Sequence, residues 1–115
     1  MIKKKDQMRR EVIEHMRGGE GEIHLEHILE NSETGERTGL CSVCTVDPGC
    51  SIGLHTHDTN AEIYYMLEGT LELNQNGQLC TVQAGDVVFT SDGESHSVAN
   101  REDKPAKLLA VIFPH

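Results

Sequence analysis

An all-β sandwich or barrel is the fold class that the sequence predicts. Turn-forming residues recur at short intervals, for example at Asp47-Pro-Gly49, Asn74-Gln-Asn-Gly77 and Ser91-Asp-Gly93. The segments between the turns are short and rich in β-branched and apolar residues. This spacing is typical of domains made of many short strands, whereas alternating helical and strand patterns would indicate a parallel sheet.

Nine segments are predicted to be strands from their length and residue types. In the first of them, Ile23, Leu25 and Leu29 fall on one face, as the two-residue repeat of a strand requires. Asn76-Gly77 is a strong signal for a hairpin turn between two of the later strands. The predicted strands are residues 22–30, 40–46, 51–57, 62–68, 70–73, 80–82, 87–90, 95–99 and 107–113.

The N-terminal residues before these strands are ambiguous. Met8, Val12 and Met16 recur every four residues, which would suit one short amphipathic helix. Val12-Ile13 could instead begin a strand, and we favour the strand. A chain of 115 residues forms one domain. We therefore expect an arm or strand over residues 1–21 and a single barrel domain over residues 22–115.

The charge distribution excludes several classes of partner. The formal net charge is −9, and half of the ten basic residues lie within the first ten positions. A surface this acidic should repel nucleic acid and anionic membranes. The basic start is not followed by an apolar run, and the longest apolar stretch, residues 108–113, is far too short to span a membrane. The sequence thus predicts a cytoplasmic protein that binds neither nucleic acid nor membrane.

Four cysteines raise the question of a redox or zinc site, because Cys41 and Cys44 form a CxxC pair. The pair lies in a predicted strand, where residues three apart point to opposite faces. No second CxxC follows Cys50 or Cys80. We interpret all four as structural thiols and expect them to be reduced in the cytoplasm.

The chemistry of this chain is concentrated in three histidines and one glutamate. His55 and His57 are two apart on a predicted strand, so both side chains leave the same face. A polar tetrapeptide then allows a turn, and Glu62 opens the next strand. His96 lies in a separate glycine-flanked segment nearer the C-terminus. Three imidazoles and one carboxylate that converge on one point suit a divalent transition metal.

The spacing of these residues resembles the two signature motifs of the cupin family. The first motif is glycine, five residues, His-x-His, three or four residues, Glu, six residues and glycine, and it matches from Gly49 to Gly69 at every fixed position. The second runs from Gly85 to Asn100 and matches at all but one position, where Ser91 replaces the family's proline. That proline stiffens a turn and is not a metal ligand. The two motifs together span nearly half of the chain.

The resemblance implies a double-stranded β-helix, a small jelly-roll barrel, with a metal held by His55, His57, Glu62 and His96. We expect the remaining histidines, His15, His24, His27 and His115, to have no metal role. If Glu62 points into the barrel, Tyr64 and Met66 share its face, and Ile63, Tyr65 and Leu67 face outward. Gly69 and Gly93 are assigned to turns, and Asn100 is expected to cap one with its side chain.

Two functions remain open at this point. Four protein ligands leave about two positions free on a six-coordinate ion, where a small oxygen-bearing molecule could bind. The resemblance favours a metal-dependent enzyme of the dioxygenase, decarboxylase or isomerase type, and the alternative is a non-catalytic module that binds a small molecule or metal. Imidazole and carboxylate ligands do not distinguish Mn, Fe, Ni, Co, Cu and Zn, although zinc is slightly disfavoured. The small barrel and its outward apolar residues also predict a homodimer, as does the resemblance.

Overall fold

A computed structural model describes residues 1–114, and ten strands dominate it. Three short 3-10 helices, Lys5–Gln7, Met16–Gly18 and Asn31–Thr34, lie between the first strands. The strands are β1 (Arg9–Glu14), β2 (Glu22–His27), β3 (Leu40–Val46), β4 (Ser51–Thr56), β5 (Asn60–Glu68), β6 (Thr70–Gln75), β7 (Gln78–Gln83), β8 (Val87–Thr90), β9 (Ser95–Ala99) and β10 (Ala106–Pro114).

The strands form two antiparallel sheets that pack face to face as a jelly-roll barrel. One sheet has six strands in the order β1-β2-β3-β10-β5-β8, and the other has four in the order β4-β9-β6-β7. From β4 onward, the chain crosses to the other sheet after every strand except β6, which forms a hairpin with β7. This exchange brings β4 and β9 of the smaller sheet opposite β5 of the larger one.

The core fills the space between the sheets with aliphatic side chains at alternate positions. β2 is buried at every second residue, through Ile23 and Leu25, and β6 is buried through Leu71 and Leu73. The same alternation appears in β5, where Glu62, Tyr64 and Met66 are buried while Tyr65 and Leu67 are exposed. The predicted inward and outward faces of β5 are thus confirmed. The remaining core residues include Cys44, Val46, Ile52, Val82, Val88, Val98, Ala106, Leu108 and Ala110.

All nine predicted strands are present, with ends that differ by a few residues. The largest difference is at β2, which ends at His27 instead of residue 30. The amphipathic helix considered for Met8 to Met16 does not form, because Arg9–Glu14 is a strand that pairs in antiparallel register with β2. All four cysteines are free thiols, and Cys41 and Cys44 are both buried. His115 lies outside the described residues.

The turn residues of the two motifs have the backbone roles that the sequence predicts. Gly69 has φ of 78°, and a Cβ there would lie 2.7 Å from the Pro105 carbonyl oxygen, so the position admits only glycine. Asn100 is buried; its side-chain amide donates to the carbonyls of Val46 and Lys104, and its oxygen accepts from the Glu102 amide. It closes the turn before β10 and ties this turn to β3.

Among residues 1–114, no helix reaches the length and hydropathy that a membrane-spanning helix needs.

Candidate metal centre

The structure brings together the four side chains that the sequence singles out. His55 lies near the end of β4, His57 directly follows that strand, Glu62 is in β5 and His96 is in β9. One ligand atom from each of the four lies within 4.8 Å of the others. His57, Glu62 and His96 are almost fully buried, and His55 is partly exposed. Solvent therefore approaches the cluster on the side of His55.

A β-bulge in β4 aims its histidines inward. Ile52 pairs with Val98 and points into the core, whereas His55 pairs with His96, so β4 carries one more residue than β9 between these pairs. With regular alternation from Ile52, His55 and His57 would face outward. The extra residue turns the side chains that follow it to the opposite face of the strand, which is a known role of bulges beside functional sites.

Each of the three imidazoles is held by a hydrogen bond at Nδ1. Nδ1 of His55 lies 2.8 Å from the Gly53 carbonyl oxygen, and Nδ1 of His57 lies 2.6 Å from the Asn60 side-chain oxygen. The third, that of His96, lies 2.8 Å from the Thr90 hydroxyl, which also contacts the Gln75 side-chain amide. A carbonyl and an amide oxygen only accept, so the first two Nδ1 atoms carry hydrogen and leave their Nε2 atoms as lone pairs.

The free ends of the four side chains lie close together, with too few hydrogen atoms to bridge all of their contacts. Nε2 of His96 lies 2.9 Å from Nε2 of His57, 3.0 Å from Nε2 of His55 and 3.1 Å from Oε1 of Glu62. Oε1 of Glu62 is also 3.0 Å from Nε2 of His57, yet it is buried without a hydrogen-bond partner. The imidazoles supply at most one hydrogen to these contacts, on Nε2 of His96, so most of the contacts join two acceptor atoms. Converging lone pairs repel one another unless a cation lies between them.

The spacing of these atoms fits an octahedral cation. With metal–ligand distances of about 2.1 Å, neighbouring octahedral ligands are about 3.0 Å apart and tetrahedral ones about 3.4 Å. The four short separations, 2.9 to 3.1 Å, match the octahedral value. Both remaining pairs include His55 and lie within 4.8 Å, and one of them can be the opposite pair of an octahedron, for which about 4.2 Å is expected. The group could therefore hold a metal ion.

Burial favours the uncharged forms of these groups. Desolvation lowers the pKa of His96 to about 4 and also lowers the pKa of His55, which keeps the imidazoles neutral and able to bind a metal. Desolvation raises the pKa of Glu62, which is the cost of placing this carboxylate inside the barrel. A divalent cation among the four donors would offset that cost.

The turn that carries the second motif is fixed without its proline. The Glu94 carboxylate accepts hydrogen bonds from the Ser91 amide at 2.8 Å and from the Ser91 hydroxyl at 2.7 Å. A proline at position 91 would have no amide hydrogen to donate. The turn is also tied to the first motif, because the Gly93 amide donates to the His57 carbonyl and the His57 amide donates to the Glu94 carbonyl. Hydrogen bonds between Ser91 and the Glu94 side chain thus hold the turn where the family's rigid proline ring is missing.

The other described histidines lie outside the cluster. His15 contacts the Gly19 carbonyl oxygen, and His24 is exposed near Asp47. His27 is buried but has a partner at each ring nitrogen, the Ser42 hydroxyl and the Glu11 carboxylate. None of the three is among the group of ligand atoms that meet at Glu62.

Sequence reasoning missed the residues that orient the ligands. Asn60 and Thr90 hold His57 and His96 by their Nδ1 atoms, but neither occupies a fixed motif position that marks it as functional. Tyr64, which was predicted to share the face of Glu62, stacks on the ring of His96 with centroids 4.7 Å apart. The contact of the 3-10 turn Met16–Gly18 was also missed: the Arg17 carbonyl lies against Gly53, whose own carbonyl oxygen is 2.8 Å from Nδ1 of His55.

Comparison with known proteins identifies the family. A family model described as a cupin domain matches residues 42–112, which include all four clustered side chains. The chain belongs to the cupin family. A Thermotoga maritima protein named oxalate-binding protein is 38% identical over 113 residues, which cover 98% of this chain and 93% of the relative.

Solved structures support the same assignment. A Thermotoga maritima crystal structure described as a predicted oxalate decarboxylase superposes with a TM-score of 0.94 at 37% identity, over 100% of both chains. A cupin described as a sugar phosphate isomerase from Silicibacter pomeroyi has a TM-score of 0.74 at 21% identity, over 96% of this chain and 73% of that one. The second likeness shows the fold alone.

Proposed function

We propose that this cupin binds one divalent transition metal through His55, His57, Glu62 and His96. The observation that carries the proposal is the Oε1 atom of Glu62, a buried carboxylate oxygen without a hydrogen-bond partner that faces two imidazole Nε2 atoms at 3.0 and 3.1 Å. Buried polar atoms are rarely left unpaired, and buried charges are paired or coordinate metals. The octahedral spacing of the donors favours manganese, iron, cobalt or nickel over tetrahedral zinc.

We further propose that the open side of the site binds a small carboxylate, with a dicarboxylate such as oxalate as the favoured ligand. Four protein ligands leave about two positions on an octahedral ion, which suits a ligand with two adjacent oxygens. One carboxylate and a divalent ion give the site a formal charge of about +1, so an anion is attracted despite the acidic surface. The Thermotoga maritima matches are described as an oxalate-binding protein and as a predicted oxalate decarboxylase, and both descriptions point to this ligand class.

Metal-dependent binding is supported better than catalysis. A bound metal would supply Lewis acidity that polarises ligand oxygens. Decarboxylation also needs a group that moves a proton, and the titratable neighbours of Glu62 are poorly suited to that task. Burial raises the pKa of Cys44 to about 12 and raises the pKa of Tyr64 well above its ordinary value. General acids and bases work best with pKa values near the working pH.

The second candidate, a decarboxylase, is favoured by the structural match to a predicted oxalate decarboxylase. One experiment separates the two. Purified protein is analysed for metal, loaded with manganese or cobalt, and titrated with oxalate by calorimetry, and the same samples are assayed for release of carbon dioxide and formate. Oxalate binding that depends on the metal and yields no product supports the binding function. Turnover would favour the enzyme, and a protein that binds no divalent metal would contradict the proposal.

We propose that the protein is a homodimer that pairs through the outer face of the six-stranded sheet. This apolar face consists of Ile63, Tyr65 and Leu67 of β5, Val87 and Phe89 of β8, and Phe113 of β10. Ile63 lies opposite Phe89 and Tyr65 lies opposite Val87, so the side chains are contiguous. Val87 and Phe89 are 65% and 57% exposed. Contiguous exposed apolar side chains beside an edge strand mark an interaction site, and a second copy presents a matching surface.

The dimer is tested by Phe89→Glu, which places a charge within the apolar face, on its edge strand β8. Light scattering should give a dimer for the wild type and a monomer for this variant. Leu79→Glu is the matched control, because Leu79 is 68% exposed on the other sheet and the dimer should persist. A wild-type monomer at micromolar concentrations would contradict the proposal.

A further inference from the structure

The bulge of β4 leaves part of this strand without regular pairing. Gly53 and Leu54 fall within the bulge, where β9 has a single residue. β4 is also the edge strand of its sheet, so it has a neighbouring strand on one side only. The position of the Gly53 carbonyl is nevertheless important, because this oxygen lies 2.8 Å from Nδ1 of His55 and accepts its hydrogen. The backbone that orients His55 therefore needs support from outside the sheet.

The 3-10 turn Met16–Gly18 of the N-terminal arm packs against β4. The Ser51 amide donates to the Glu20 carbonyl at 2.9 Å, and the Glu20 amide donates to the Ser51 hydroxyl at 2.8 Å. Met16 is partly buried and packs against the core of the barrel. The turn is thus anchored at both ends, to the core by Met16 and to β4 by Glu20.

Two glycines let the turn and the strand touch backbone to backbone. A Cβ on Gly53 would lie 2.1 Å from the Arg17 carbonyl oxygen, and a Cβ on Gly19 would lie 2.1 Å from the Ser51 carbonyl oxygen. Neither position has room for a side chain. Gly53 therefore contacts the backbone of the arm and, through its own carbonyl, a candidate metal ligand.

The turn keeps this contact at a conformational cost. Arg17 has φ of 55° and His15 has φ of 51°, left-handed values that residues other than glycine seldom adopt. The Gly18 amide donates to the His15 carbonyl at 2.8 Å, and the Gly19 amide donates to the Met16 carbonyl at 3.0 Å. Such conformations persist where the surrounding structure requires them, and they cluster at functional sites. The strain indicates that the fit to β4 holds the turn in this form.

We propose that the turn Met16–Gly18 is a positioning element of the metal centre, which fixes the Gly53 carbonyl and through it the ring of His55. The inference rests on the proposed function, because it concerns a ligand of the proposed metal. A firmly held hydrogen-bond partner keeps the ring orientation of a ligand and directs its Nε2 lone pair at the metal. Displacement of the turn should therefore weaken His55 and spare His57, whose Nδ1 is held by Asn60. By reciprocity, metal binding should stabilise the docked turn by the same factor.

Gly19→Ala tests this role from a position outside the four ligands and both motifs. Gly19 has φ of −76°, which alanine adopts without strain, so the substitution acts through the clash of its Cβ with β4. The dissociation constant for cobalt should rise about 10-fold, the lower end of the loss typical for a contact that orients a ligand. Competition with a chelator measures this change. In the metal-free variant, the nitrogen NMR shift of Nδ1 of His55 should change, whereas that of His57 should not.

Gly77→Ala is the matched control, because alanine at its φ of 87° strains the turn between β6 and β7 but meets no other atom within 4 Å. It should bind cobalt as the wild type does. A folded Gly19→Ala with unchanged cobalt affinity would overturn the positioning role. So would equal losses in Gly19→Ala and Gly77→Ala, or equal NMR changes at His55 and His57.

Hydrogen exchange of the wild type is a second measurement that decides the matter if Gly19→Ala does not fold. Cobalt should slow the exchange of the amides of Gly18 and Gly19 about 10-fold, by the reciprocity stated above. The amide of Gly35, which closes the 3-10 turn Asn31–Thr34 between β2 and β3, should exchange as before. No slowing at Gly18 and Gly19, or equal slowing at Gly35, would overturn the inference while leaving the metal site intact. Wild type that binds no cobalt would overturn the proposed function and this inference together.

Discussion

His27 and His96 are both buried histidines of one barrel, but their surroundings differ in one respect. Both nitrogens of His27 have a partner with which a hydrogen can be shared: the Ser42 hydroxyl is 2.6 Å from Nδ1, and the Glu11 carboxylate is 2.8 Å from Nε2. His96 has one partner at Nδ1, the Thr90 hydroxyl, but at Nε2 a single hydrogen would have to serve three neighbours. Its Nε2 faces two imidazole nitrogens and a carboxylate oxygen.

The difference shows that burial alone does not mark a histidine as a ligand. A neutral ring at His27 satisfies all of its neighbours, since the Ser42 hydroxyl can donate to Nδ1 while Nε2–H donates to Glu11. At His96, the three imidazoles supply at most one hydrogen to the four atoms that meet, so most of the contacts bring lone pairs together, and a positive charge between them would relieve the repulsion. We therefore expect His27 to hold the arm to the barrel and His96 to hold a metal. The predictions below separate these two roles.

The largest effect is expected from removal of His96. His96→Ala should abolish metal binding, because it deletes the nitrogen that lies within 3.1 Å of the other three donors. The wild type should gain about 2.7 kcal/mol of stability at a metal concentration one hundred times the dissociation constant, and the variant should gain none. Metal analysis and melting curves with and without added manganese measure both results.

His27→Ala is the control for this prediction, because it removes a buried histidine outside the cluster. It should retain the full metal content and the full stabilisation by manganese. Equal metal content in His96→Ala and the wild type would contradict the assignment of the ligands, as would loss of metal from His27→Ala with its fold intact.

A smaller effect is expected from Thr90→Val, which removes the hydroxyl beside His96 and nearly conserves its shape. Without that acceptor, hydrogen at Nδ1 is left buried and unpaired, and the ring gains by moving the hydrogen to Nε2, where it blocks the metal. Loss of such a supporting contact typically costs 10- to 100-fold in metal affinity. Competition with a chelator of known affinity measures this change.

Thr90→Ser keeps the hydroxyl and should bind metal as the wild type does. If Thr90→Val and Thr90→Ser bind metal equally well, the hydroxyl does not orient His96.

His27→Ala should change stability without changing the metal site. It leaves the Ser42 hydroxyl, which has no exposed surface, without its partner. An unsatisfied buried group costs about 1–3 kcal/mol, and the variant also loses its bond to β1 through Glu11. Urea unfolding of the metal-free proteins should show this loss. A variant as stable as the wild type would mean that the hydrogen-bonded chain from Glu11 to Ser42 contributes little.

The same contrast explains which parts of the site the sequence could predict. The alternation of apolar residues, the turn signals and the spacing of His55, His57, Glu62 and His96 were enough for the strands and the four clustered side chains, because these depend on local periodicity and on fixed intervals. The bulge in β4 was not predictable, since it appears only when β4 is paired with β9. The roles of Thr90 and Asn60, and of His27, depend on contacts between distant segments. Arg17 lies outside both motifs, in a turn whose contact with Gly53 is set by the fold.

The pH dependence of the metal-free protein gives the smallest effect. Burial lowers the pKa of folded His96 to about 4 from its ordinary 6.5, so the unfolded chain binds more protons between these values. The free energy of unfolding should therefore rise with pH from about 4 to about 6.5, by at most about 1.4 kcal/mol per pH unit for one histidine. The lowered pKa of His55 acts in the same direction.

Glu62 opposes both histidines, because burial raises its folded pKa above 4.5 and its contribution to stability is lost as the pH rises. Glu62→Gln removes this opposition, so its unfolding free energy should rise more steeply than that of the wild type between pH 5 and 6.5. His96→Gln should flatten the rise. Urea unfolding at several pH values measures all three slopes, and a Glu62→Gln slope no steeper than that of the wild type would show that Glu62 carries no unfavourable charge in the metal-free barrel.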